Sequence, residues 1–239
     1  MKYFIFLFLL VTGSSFAGTC PDKFPTGRAF SFQNPAYSQK STLLCFQEFA
    51  VFWSGLARVP LYSAEYLTPG ELLQAKTISR QGEFHEDPRL TDGARLADYR
   101  RSGFDRGHLT PSADMPTLSA QQKTFNLVNI APQNPTQNSR QWLSVEQAAR
   151  GMASKTPLYI VTGVVFEGAN IQFVGGRVGV PTSFYKVLYN KATNEGAVYW
   201  VDNHADARVM FMDIPTFERR TGLLLGIQNP KRLYLLSPR

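Results

Sequence analysis

Histidine is scarce in this 239-residue chain, with three residues, and cysteine is scarcer still, with two. Cys20 and Cys45 form no Cys-x-x-Cys pair and have no histidine close in sequence, which argues against a zinc site. There is no repeat, no low-complexity tract and no shift in composition to mark a domain boundary. Beyond the first residues, no apolar run approaches the ~20 residues that a membrane span needs. Together these absences exclude a histidine-ligated zinc enzyme, a repeat architecture and a membrane-embedded body.

What is present starts with a leader. Met1-Lys2 is positive, Tyr3 to Val11 is almost wholly apolar, and Ser15-Phe16-Ala17 offers small residues for a signal peptidase. Residues 1–17 are therefore expected to be a signal peptide and 18–239 a single domain, periplasmic or secreted, with no membrane contact after cleavage. In an oxidising compartment two cysteines make one disulfide, Cys20 with Cys45, tying the mature N-terminus to the first strand. The excess of 25 Lys+Arg over 18 Asp+Glu favours anionic partners through long-range attraction.

The hydropathy pattern predicts an α+β chain, mainly antiparallel strands flanked by helices. Residues 18–42, rich in Pro, Ser, Gln and Asn, read as a surface-hugging arm. Leu43 to Trp53 reads as one buried strand and Arg58 to Leu67 as its partner through a turn at Ser54-Gly55, with Pro60 placing that partner at an edge or bending it. A short helix is expected over Pro69 to Ala75, and short strands over Phe104 to Thr110 and Phe125 to Pro132. Trp142, Val145, Ala149 and Met152 form one apolar stripe in a helix over Ser139 to Ala153. Leu158 to Phe166 is a strand, Ser183 to Tyr189 and Gly196 to Val201 a hairpin. Asp213 to Gly222 is a helix opened by Pro215 and closed by glycine.

Only one histidine sits in a dense polar cluster: His108 ends Asp105-Arg106-Gly107-His108. Hydrolysis of a phosphodiester needs a base that titrates near neutrality and a cation to offset developing charge. The tetrapeptide supplies an imidazole and a guanidinium, with glycine permitting close approach. Taken alone it is open to a structural reading, as most lone histidines are. Downstream, Asn126, Asn129, Asn134 and Asn138 with Pro132 and Pro135 shape a turn into the helix. Asn138 falls at its N-cap or in its first turn, where capping or an oxygen ligand for a hard cation would each account for it. On a regular helix Glu146 lies roughly 80° around from Asn138, and Arg150 roughly 120°. Glu146 and Arg150 then form either a surface ion pair or part of a ligand-bearing face.

The ordered string Asp98-Tyr99, Ser102-Gly103-Phe104-Asp105-Arg106-Gly107-His108, Asn129-Ile130-Ala131-Pro132-Gln133, Asn138, Trp142 and Glu146 resembles the DNA/RNA non-specific endonucleases. Arg58-Val59-Pro60-Leu61, Arg80 ahead of Phe84 and Asp87-Pro88, Val180-Pro181-Thr182-Ser183-Phe184-Tyr185-Lys186, and Glu218 with Thr221-Gly222 extend the likeness over most of the mature chain. The resemblance implies a ββα-metal (His-Me finger) motif and metal-dependent cleavage of DNA and RNA to 5′-phosphate ends. It implies His108 as general base and Asn138 as the one protein ligand of a largely hydrated Mg²⁺, with Mn²⁺ a substitute. Glu146 would hold the metal's waters. Arg106, with Arg80 and Arg150, would grip the phosphate; Asn129 would organise the site and Asp105 shape its loop. One departure is Leu223-Leu224-Leu225, where many relatives carry an aromatic pair; it concerns packing. The alternatives are a weakly catalytic nucleic-acid-binding or uptake protein of the same fold, a phosphodiesterase acting on smaller esters, and an inactive structural protein. His85 has no nameable partner and His204 reads as a surface turn. Preference for DNA or RNA, an inhibitor protein and the oligomeric state stay open.

Overall fold

A computed structural model describes residues 19–236, so the leader expected over residues 1–17 lies outside the described residues. The elements that position the site are β1 (Ser41–Cys45), β2 (Phe49–Ser54), β3 (Val59–Leu67), α1 (Pro69–Ala75), β4 (Asp105–His108), α2 (Leu118–Thr124), β5 (Ile130–Gln133), α3 (Leu143–Ala153), β6 (Leu158–Val165), β7 (Ser183–Asn190), β8 (Glu195–Asp202), β9 (Met210–Met212) and α4 (Ile214–Thr221). The central sheet runs β9-β8-β7-β6-β3-β2-β1 with every neighbouring pair antiparallel, and Lys231–Arg232 adds a short parallel strand against β8. The α+β class read from the sequence is the class observed.

Period-2 alternation decides what each face of this sheet meets. Along β7, Phe184 and Leu188 join Trp142, Val145 and Ala149 in one apolar cluster. Tyr185, Val187 and Tyr189 join Ile214 and Phe217 of α4 in another. With both faces covered, β7 is buried at all eight positions. The helix α4 begins where Asp213 accepts a hydrogen bond from the Thr216 N–H at 2.7 Å and stops at Gly222, whose φ of 67° suits glycine. Leu223 and Leu225 are buried in the second cluster, so the departure at this segment is filled by aliphatic packing.

Several expectations change in detail. The single strand over Leu43 to Trp53 is a hairpin, β1 and β2, reversing where the Phe46 N–H donates to the Phe49 carbonyl. The two residues of the reversal, Gln47 and Glu48, are polar, but Phe46 and Phe49 flank them with rings stacked at 4.5 Å, so the pattern reads as one apolar run. β3 is not an edge strand, since it lies between β2 and β6; Pro60 sits at a bend, opposite Trp53, while Tyr62 faces Phe52 across the shifted register. The strands around the site shorten to β4 and β5, with Leu127–Asn129 a 3-10 turn. The N-terminal arm is not merely superficial: Phe24 and Phe30 are buried in the second cluster, and Ser31–Phe32 pairs with Leu223–Leu224. The disulfide Cys20–Cys45 is present, with a Cα–Cα distance of 5.8 Å, and anchors that arm to β1.

Candidate active site

β4 and β5 pair antiparallel, setting His108 opposite Ile130 and Asp105 opposite Gln133. Gly107 is required by a neighbour: a Cβ there would lie 2.7 Å from the Gln133 Cβ and collide with its amide. Gln133 in turn donates to Gln137 at 2.6 Å, linking the hairpin to the helix that follows. Asn129 is fully buried; its Nδ2 donates to the Thr110 carbonyl at 2.9 Å and the Thr124 carbonyl at 3.0 Å, and its Oδ1 accepts from the Thr110 N–H at 3.0 Å. It pins the chain leaving His108 and does not line the cavity described below.

The helix begins earlier than expected. Asn134 caps it, its side chain accepting from the Thr136 N–H at 3.0 Å and the Gln137 N–H at 3.1 Å. Asn138 therefore does not cap; it opens a π-helical turn, Asn138–Trp142, that runs into α3. A π turn holds about one extra residue, or roughly 100° of helix rotation. The offsets of 80° and 120° expected for a regular helix thus collapse, leaving Asn138 within roughly 20° of both Glu146 and Arg150. The Asn138 Nδ2 donates to Asp105 Oδ2 at 2.9 Å, which leaves the Asn138 Oδ1 as an acceptor without competition from capping. Asp105 shapes the loop, as expected, and also orients this amide.

Six of the residues singled out from the sequence converge. His108, Arg106, Asn138, Glu146, Arg80 and Arg150 line one cavity of about 290 Å³. The His108 ring lies edge-to-face against Phe125, with centroids 4.9 Å apart, and 5.4 Å from Phe84. Its Nε2 is enclosed without a hydrogen-bond partner. Burial first, and the Arg80 charge second, lower its pKa to about 3, so the imidazole is neutral and basic sites remain available at neutral pH. The same two rings carry the flanking cations, the Arg106 guanidinium 4.4 Å above Phe84 and that of Arg80 5.2 Å above Phe125.

Behind Glu146 lies a buried charge cluster that the sequence reading did not identify. Arg150 pairs with the buried Asp114 at 3.0 Å, which sets aside the alternative of a surface pair with Glu146. Glu65 on β3 and Lys186 on β7 are 2% and 1% exposed on the sheet face that packs against the helix. Lys186 donates to Thr162 and lies over the Trp142 ring, whereas both carboxylate oxygens of Glu65 are enclosed without partners. Burial is the largest influence on Glu146 and lifts its carboxyl to about 7, against the pull of Lys186 and Arg150. A lysine in the middle of the otherwise apolar β7, and a glutamate in β3, were the available signals. His85 instead lines a separate cavity beside Cys45, its Nδ1 3.0 Å from the Glu83 carbonyl, and His204 is exposed in a turn.

The donor set decides which cation this site suits. Among the described residues no group of three His, Cys, Asp or Glu could cage a metal. An amide oxygen from Asn138 and a carboxylate from Glu146, facing one open cavity, fit a hard ion that keeps most of its water. With a neutral imidazole and two guanidiniums alongside, the arrangement can activate water and receive a phosphodiester.

A family model described as DNA/RNA non-specific endonuclease matches residues 25–224. Human mitochondrial endonuclease G is 33% identical over 209 residues, covering 78% of this chain and 68% of that protein. Nuclease C1 of Cunninghamella echinulata is 33% identical over 157 residues; these are 59% of this chain and 62% of the fungal protein, so the match spans less than two thirds of its length. A crystal structure of an EndoG/EndoGI complex superposes with a TM-score of 0.69 at 24% identity, over 76% of this chain and 84% of that one, which establishes a shared fold.

Proposed function

Because the chain belongs to the DNA/RNA non-specific endonuclease family, we propose that it is an exported, Mg²⁺-dependent endonuclease that hydrolyses DNA and RNA without reading sequence and leaves 5′-phosphate ends. The observation that carries this reading is the convergence of His108, Asn138 and Glu146 with Arg80, Arg106 and Arg150 on one cavity. The short β4–β5 hairpin followed by the helix bearing Asn138 is our reading of the ββα-metal motif.

His108, held neutral, takes a proton from the attacking water. Water attacks phosphorus, the P–O3′ bond breaks, and the 5′-phosphate remains on the downstream fragment. Asn138 Oδ1 would hold the metal directly, oriented by Asp105, and Glu146 would hold the metal's waters. When bound, Mg²⁺, or Mn²⁺ in its place, offsets negative charge on the phosphoryl and leaving oxygens. Arg106 and Arg80 grip the phosphate from their aromatic supports, while Arg150, held by Asp114, adds a fixed positive charge to the wall. Contacts aimed at phosphates explain indifference to base and sugar, and make binding salt-sensitive. The leader pattern and the Cys20–Cys45 disulfide support export to the periplasm or beyond.

The test is digestion of supercoiled plasmid and of total RNA by the mature protein, with Mg²⁺ or EDTA, beside His108→Ala. Nicking and RNA loss that need Mg²⁺ and fall by about 10²–10⁴ in the variant are expected. Cleavage surviving in folded His108→Ala would overturn the assignment of the base. A folded, metal-supplied wild type that binds but does not cut would favour the binding or uptake reading.

A further inference from the structure

The catalytic cavity does not end at its arginines. Arg80 and Arg150, with Ser112 and Ala113, also form the near wall of a second, open groove of about 460 Å³. The far wall is α1 and the chain just beyond it. Leu72 and Ala75 supply a buried apolar floor, Ile78 extends it, and Lys76 stands exposed at its rim. The lining therefore holds three cations, Lys76, Arg80 and Arg150, and no carboxylate. A larger cavity of about 520 Å³ beside Cys45 shares no lining residue with the catalytic cavity and contains Glu48 and Asp87. Of the two, only the groove beside α1 continues the site with the same sign of charge.

An apolar floor under a cationic rim matches a nucleic-acid strand, which presents apolar base faces and anionic phosphates. Resting on the nuclease reading above, we propose that this groove is a nucleotide subsite for the strand on one side of the scissile phosphate. The neighbouring base lies against Leu72, Ala75 and Ile78, and the next phosphate meets Lys76. Aliphatic contact with a base face reads no hydrogen-bonding edge, so the subsite accepts any sequence. It raises cleavage of a polymer over that of an isolated phosphodiester, because the small ester reaches the catalytic cavity but not the groove.

Two measurements test this separately from the nuclease reading. In the His108→Ala background, binding of a fluorescent single-stranded oligonucleotide is titrated across a salt series, without and with Lys76→Gln. Loss of one phosphate contact should lower the log–log salt slope by about 0.7. In the otherwise native protein, Lys76→Gln and Ile78→Asp should each lower the ratio of kcat/KM on the oligonucleotide to kcat/KM on a chromogenic aryl phosphodiester, by about tenfold. An unchanged salt slope together with an unchanged ratio would overturn the subsite. Absence of cleavage of either substrate by the wild type would instead defeat the nuclease reading, and the salt series would still decide whether the groove holds a strand.

Discussion

On one face of the central sheet Tyr62, Tyr185, Trp200 and Phe217 pack as an aromatic cluster; on the other, the same strands bury Glu65 and Lys186 beneath Glu146 and Arg150. Both faces are closed to solvent, so burial alone does not explain the difference. Aromatic burial stabilises through apolar area removed from water. Buried charges carry a desolvation penalty; burial pushes the Glu65 carboxyl well above the usual carboxylate range, against the pull of Lys186 and Arg150. The face that holds charge is the face against which the Asn138–Glu146 helix packs. The helix side thus sets a buried charge group within its own apolar cluster of Trp142, Val145, Phe184 and Leu188, and that group shapes the electrostatics under the site.

Exchanging the properties of the two faces gives the largest effects. Phe217→Ala should lower unfolding free energy by about 3–5 kcal/mol in denaturant titrations while cleavage per folded molecule is retained. Lys186→Met should be destabilising by a similar ~3–5 kcal/mol, since it strands buried carboxylates, and should also depress Mg²⁺-dependent plasmid nicking. Adding Glu65→Leu to Lys186→Met sharpens the contrast: an apolar pair should recover most of the stability and none of the lost activity. Recovery of both would show that the charges serve folding alone.

Smaller effects lie within the site. Asp105→Ala removes the acceptor that orients the Asn138 amide, so the Mg²⁺ concentration for half-maximal nicking should rise about 10–100-fold, with little change in thermal unfolding. The smallest is a shift in pH profile. A general base works only when neutral, so with His108 lowered to about 3 the acid limb of kcat/KM should lie well below 6.5. Glu146, lifted to about 7, takes up a proton earlier as pH falls, so Mg²⁺ must be kept saturating at each pH. Arg80→Gln removes the second cause of the His108 depression, and the limb should move upward. A downward move would show that Arg80 does not act on His108 through its charge.

Elements governed by neighbours in sequence were legible: the α4 helix from Pro215 and Gly222, the β7–β8 hairpin from alternation, and α1 over Pro69 to Ala75, which Thr68 caps by accepting from the Glu71 N–H. The family motifs identified residues that the fold gathers into one cavity. What escaped depends on contacts far apart in sequence or on atypical local geometry. Phe24 and Phe30 looked superficial because their segment is polar, yet they are buried beneath the sheet. Glu65, Asp114 and Lys186 are well separated along the chain, and no local pattern announces that they meet. Asn134 and Asn138 are both plausible caps by residue type, and only the hydrogen bonds choose between them.

The π turn at Asn138–Trp142 carries one residue more than regular winding needs, so this segment responds differently to losing a residue and to gaining one. Removing one residue between Ser139 and Gln141 would let the helix relax to a regular winding with no loss of backbone hydrogen bonding. Such a protein would keep Trp142 and Val145 in the core, and Asn138, now seven residues before Glu146 on a regular helix, would still lie within roughly 20° of it. A single deletion here should therefore leave plasmid nicking in place, whereas a single insertion should turn Asn138 by a further ~100° from Glu146 and abolish it.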